Sequence, residues 1–263
     1  MNRKTSTKFS LVLFFVVILI NYLTATGKIP GLSPQKEISS LYHTPITPAG
    51  FAFSIWGVIY ILLFVAILYM IKISSDKGPR SFALEKLIVP LRALFAFNII
   101  WNIVFGLGWI GFSFVMIVGY WLSLVVIGIS LVKTRAVLNP ILPVAFGLHT
   151  GWISIASVVN LYAFFVKIGW NGMGLHQDVW VIITIVFVLL LVALLQIWLK
   201  NPVTPLGTAW AFFGIYAKEG AAFSEYPFIP ILLLAGIVLL FFFSVMTFIR
   251  NGKSLLLQRF GHI

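Results

Sequence analysis

The chain has 263 residues, 61% of them hydrophobic and only 9% charged, with a mean hydropathy of +1.08, so there is too little polar surface to coat a water-soluble globule. The net charge of +12 sits between apolar runs, where Lys and Arg act as topology signals and contacts for anionic membrane lipids rather than for nucleic acid. The 0 Cys exclude a disulfide framework, thiolate metal sites and cysteine nucleophiles.

Long apolar runs read as spanning helices, because lipid offers no partner to an exposed backbone N–H or C=O. They lack the polar–apolar alternation of barrel strands. In chain order they predict eight spans, at about 9–26, 48–74, 88–107, 109–132, 140–166, 178–199, 203–217 and 228–249. The first, in "MNRKTSTKFSLVLFFVVILINYLTATG", shares its basic start with secretory signals, but no A-x-A site precedes Gly27 and a retained helix is expected. The segment 27–46, rich in Pro, Gly and Ser, reads as an ordered outer loop. The seventh span is short and carries Pro205, which leaves a re-entrant form open.

Charge supports eight crossings with both termini cytoplasmic. The inside then carries Arg3, Lys4, Lys8, Lys72, Lys77, Arg80, Lys86, Lys133, Arg135, Lys200, Arg250, Lys253 and Arg259, against Lys28, Lys36, Lys167 and Lys218 outside. Arg92, read as one turn into the third span, snorkels to the interface.

Few residues suit catalysis. The acids Glu37, Asp76, Glu85, Asp178, Glu219 and Glu225 all fall in loops or at helix ends, and there is no P-loop, no HExxH and no mid-span Lys for a retinal Schiff base. No catalytic residue, metal site or obligatory cofactor is expected. The intramembrane ionisable group is His149, in "GLHTGW", a weak ligand or relay candidate or else a residue bonded to a neighbouring helix.

Aromatic faces are more informative. In "TPAGFAFSIWGVIY", Phe53, Trp56 and Tyr60 fall at i, i+3 and i+7. In the third span Asn98, Trp101 and Phe105 repeat that spacing, and in the fifth Trp152, Ala156 and Asn160 stand at i, i+4 and i+8. A lipid-facing side has no use for a mid-span Asn, so these faces point inward. They either glue helices together or hold a planar apolar ligand by stacking, with an Asn or indole N–H orienting it.

These stretches resemble the tryptophan-rich sensory protein and translocator protein family (TspO/MBR, the peripheral benzodiazepine receptor family). Its loop-to-helix signature is matched at Trp56 and Tyr60, its third-helix signature at Asn98, Trp101 and Phe105, and its fifth-helix signature at Trp152, Ala156 and Asn160. Family residues are replaced at Gly50, Ser54, Leu94, Asn102, Leu148 and His149. The resemblance covers about 9–166 and implies a five-helix core over 1–166, with three further helices over 167–263. It implies porphyrin or haem, or a lipid, as ligand. Trp56, Trp101 and Trp152 would then be pocket walls, Ala156 the point of close approach, and Asn98 and Asn160 polar contacts. Ala52 and Phe53 would face the ligand, and a homodimer would form.

The segment "TPLGTAWAFFGIY" at 204–216 echoes 47–59, with Thr, Pro, Gly, Ala and Gly identical. Helices so placed run oppositely, as in the inverted repeats of secondary transporters, although Thr-Pro followed by Gly is also ordinary helix-entry chemistry. The sequence therefore predicts an all-α polytopic bundle of about eight transmembrane helices in a bacterial-type plasma membrane. It would bind a planar hydrophobic ligand in a sensory or transport-accessory role, the alternatives being a small-molecule transporter and an intramembrane lipid or isoprenoid enzyme.

Overall fold

A computed structural model of the chain describes residues 2–134, 138–219 and 228–255, and those residues are all-helical. Arg135, Glu225 and Arg259 of the charge pattern lie outside them. The helices are α1 (Arg3–Ala25), a short α2 (Gln35–Leu41), α3 (Ile55–Ile73) entered through a 3-10 turn at Gly50–Ser54, α4 (Pro79–Gly106), α5 (Ile110–Thr134), α6 (Ile141–Lys167), α7 (Gln177–Leu199), α8 (Thr204–Glu219) and α9 (Phe228–Arg250). Seven are long and apolar enough to cross a membrane, the entry turn counting with α3.

α8 is not one of those seven: its 16 residues reach about 24 Å at 1.5 Å per residue, short of a hydrocarbon core. It nevertheless runs through the bundle. Just ahead of it, the Asn201 amide donates to the Pro143 carbonyl at the start of α6 (2.8 Å). Towards its far end, Ala49 N–H donates to the Gly214 carbonyl (2.9 Å), beside the entry to α3. Protein covers most of α8, with Ala211 and Phe212 fully buried, while Phe213 is 44% exposed on its outer side.

Neighbouring contacts fix the direction of every other helix. The Arg3 guanidinium pairs with Glu85 (3.1 Å), so α1 and α4 begin at one end of the bundle, where Tyr69 of α3 accepts from Asn139 N–H (3.2 Å) and Asn251 after α9 donates to the Lys200 carbonyl (2.9 Å). At the other end Ser33 N–H donates to the Gly106 carbonyl (3.0 Å), tying the loop that carries α2 to the end of α4. One apolar cluster, from Phe14 of α1 through Leu87, Leu124, Phe146 and Val188 to Phe212 and Leu233, joins all the long helices and α8, and it crosses residue 166 without interruption.

α4 departs most from its predicted bounds. It starts at Pro79, in its first turn, and continues through Pro90, so Arg92 lies more than three turns in rather than one. The Arg92 guanidinium reaches back along α1, donating to the Ser6 carbonyl and hydroxyl (both 2.7 Å) over the Phe9 ring. The first turns of α4, "PRSFALEKL", are too charged to register in an apolar-run search.

Candidate functional site

The aromatic faces of α3 and α6 meet. Trp56 stacks on Tyr60 one turn along (5.5 Å between ring centroids, 25° between planes), and receives His149 and Trp152 of α6 edge-on at 5.7 Å and 6.3 Å. Phe53, in the entry turn, closes edge-on against Trp152 at 5.8 Å. Edge-to-face geometry sets the positive rim of one ring on the negative face of the next. α3 and α6 run antiparallel, so spacings read separately along each helix bring five predicted residues into one enclosure.

Polar atoms of that enclosure lack partners. The Tyr60 hydroxyl, His149 Nδ1 and Trp152 Nε1 are buried and unbonded, and so is Trp101 Nε1 on α4. His149 is 0% exposed and Trp152 2%. Burying such groups unpaired costs about 1–3 kcal/mol each, so their concentration around one indole marks a place where an incoming group has something to bond.

Behind His149 a polar chain crosses the bundle. The Asn21 amide donates to Asn98 Oδ1 (2.8 Å), the Asn98 amide donates to the Tyr120 hydroxyl (3.1 Å), and that hydroxyl lies 2.5 Å from His149 Nε2. Asn102 joins through its amide to Asn21 Oδ1 and Asn98 Oδ1 (both 3.2 Å), and its own Oδ1 accepts from Gln35 at the start of α2. Asn98, Asn102 and His149 are fully buried and Tyr120 nearly so. Gln35, Asn21, Asn102 and Tyr120 were not singled out as site residues by the sequence. The signal available was a polar residue within the apolar runs of α1, α4 and α5, about one turn from the helix end for Asn21 and Asn102, but the partners lie on different helices and no spacing along one of them reveals the link.

The remaining predicted residues lie elsewhere. Trp101 stacks on Phe105 (5.3 Å, 26°), in a satellite cluster with Ile38 of α2, Ile110 and Ala163. Asn160 accepts from the Ser113 hydroxyl (3.1 Å), a bond between α5 and α6. Half-buried Ala156 packs against the main cluster. Ala52 is turned to α8: its carbonyl accepts from Trp210 Nε1 (2.8 Å), and a Cβ placed on Gly214 would come within 2.6 Å of its own.

A bundle of this kind, with an aromatic enclosure between antiparallel helices backed by buried amides, defines a polytopic helical membrane protein with an inward-facing polar and aromatic interior. The sequence model of the family described as TSPO-like protein matches residues 7–246, and the chain belongs to that family. Neither the curated proteins nor the solved structures provide a significant match. The matched stretch extends well beyond 9–166 and takes in α7, α8 and most of α9.

Proposed function

We propose that this TSPO-like protein holds a planar hydrophobic ligand, a tetrapyrrole or a lipid, against the Trp56 enclosure in a sensory or transport-accessory role. The observation that carries the reading is the convergence of Phe53, Trp56, Tyr60, His149 and Trp152 from two helices, with three of them keeping a buried polar atom unpaired. Flat rings offer stacking and dispersion to a flat guest, and the unpaired atoms give it orientation. Trp101 and Phe105 form a second aromatic wall under α2, on the loop side of the same bundle.

We read the ligand as bound rather than transformed: among the described residues no acid lies in mid-span to supply acid–base chemistry. Both termini are cytoplasmic in a bacterial-type plasma membrane, a reading supported by the basic residues gathered at the bundle end that holds Arg3, Lys72, Lys133, Lys200 and Arg250. A homodimer is the assembly we propose.

The test is titration of the purified protein with protoporphyrin, followed by intrinsic Trp fluorescence. Saturable micromolar quenching is expected, weakened by Trp152→Phe and by Trp56→Ala. Quenching indifferent to both substitutions would remove the enclosure as the binding place.

A further inference from the structure

The polar chain behind His149 has a direction, and that direction determines which ligands the enclosure accepts. The Asn21 side-chain nitrogen is identified by its bond to the Val17 carbonyl (2.8 Å), and that of Asn102 by its bond to the Asn98 carbonyl (2.9 Å), because a carbonyl only accepts. Both nitrogens also face the same atom of Asn98, which is therefore its oxygen. The Asn98 nitrogen then donates to the Tyr120 hydroxyl, whose own hydrogen has His149 Nε2 as its acceptor at 2.5 Å. The opposite arrangement would strand a buried hydroxyl hydrogen. Nε2 thus accepts, and neutral His149 carries its proton on Nδ1, the atom left without a partner.

Every unpaired group around Trp56 is consequently able to donate: His149 Nδ1–H, Trp152 Nε1–H and the Tyr60 O–H. The two indole and imidazole N–H groups can do nothing else. No Lys or Arg stands among these residues to neutralise a carboxylate, and a haem iron would need a lone pair at Nδ1 that the proton occupies. We infer that the enclosure selects flat, uncharged ligands carrying carbonyl-type oxygen, of the ketone, quinone or ester class, which accept hydrogen bonds from His149, Trp152 and Tyr60, and that His149 does not ligate iron. This rests on the ligand-binding reading above and narrows it.

A matched pair of probes separates the two claims. Fluorenone and fluorene share a flat three-ring skeleton and differ in one carbonyl oxygen. After correction for their partition into detergent, fluorenone should bind at least about tenfold tighter, the difference expected when an analogue leaves buried donors unpaired. Its C=O stretch should move to lower wavenumber on binding, and Tyr60→Phe should shrink the ratio. Equal binding, as would follow if one buried water already satisfies the donors, overturns the selectivity while leaving the enclosure a binding place. Failure of fluorenone, fluorene and protoporphyrin alike overturns both claims. The proton is read independently by nitrogen NMR of histidine-labelled protein, with His149 assigned by difference against His149→Gln. Protonated Nδ1 with bare Nε2 is expected, and the reverse tautomer contradicts the inference whatever the probes do.

Discussion

Asn98 and Asn160 look alike in the sequence, each a mid-span Asn beside an aromatic stripe, yet they are held differently. Asn98 bonds to Asn21 on α1, Asn102 on its own helix and Tyr120 on α5, whereas Asn160 accepts one hydroxyl from Ser113. Removing a member of a satisfied buried network leaves several partners unpaired, and each such group costs about 1–3 kcal/mol. Asn98→Ala should therefore lower stability more than Asn160→Ala, a ranking that thermal unfolding in detergent can check. If the two substitutions were equally mild, the network would not be a structural element. Tyr120→Phe, which strands His149 Nε2, should fall between them. At this scale the sequence conveyed residue type and helical face but not connection. Trp56, Tyr60 and Trp152 were legible because stacking residues repeat along one helix, whereas the link from Gln35 to His149 draws on α2, α4, α1 and α5 together.

Among the elements, the packing of α6 against α8 rests on two glycines. A Cβ at Gly151 would lie 2.0 Å from the Thr204 carbonyl oxygen, and one at Gly207 would lie 2.3 Å from the Leu148 carbonyl oxygen. The Thr208 hydroxyl donates to the Gly151 carbonyl across the same crossing (2.9 Å). Backbone cannot retreat as a flexible side chain can, so Gly151→Ala should destabilise by roughly 1–3 kcal/mol or prevent folding. Gly57 of α3, with nothing within 4 Å of an added Cβ, is the matched control, and Gly57→Ala should be neutral or stabilising by about 0.5–1 kcal/mol. A Gly151→Ala protein as stable as the Gly57→Ala protein would show that the crossing tolerates separation. In the sequence Gly151 stands beside Trp152 in "GLHTGW", with nothing to reveal its partner on α8. The helices themselves were legible wherever apolar runs were long. The charged first turns of α4 and the seven-residue α2 were not, because neither offers such a run.

For the whole molecule, the path of α8 decides the topology. We propose that α8 crosses along with the seven long helices, which puts the start of α1 and the end of α9 at one end of the bundle, so reporter fusions at the N- and C-termini should fall on the same side of the membrane. Fusions on opposite sides would mean that α8 does not cross. The eightfold alternation is a reading of the positive charges, and it stays a proposal at α8, which is too short to span by length alone beside the seven described helices that qualify. The echo of 47–59 in 204–216 joins segments at opposite ends of α8: Pro205 opens α8 at its first turn, while Pro48 and Ala52 pack against Gly214 towards its last. The two copies of the pattern thus belong to helices of opposite direction.

The central claim is that a flat ligand lodges against Trp56 between α3 and α6, and the absence of native cysteine makes a direct measurement available. Phe53→Cys places a single thiol at the rim of the enclosure, where Phe53 is 38% exposed beside Trp152, and Leu68→Cys places one on the outer face of α3, where Leu68 is 44% exposed. The alkylation rate of each is to be measured with and without saturating fluorenone, the flat uncharged carbonyl probe. Slowing at position 53 with an unchanged rate at position 68 is the predicted result. Rates equally affected, or unaffected, at the two positions would contradict it.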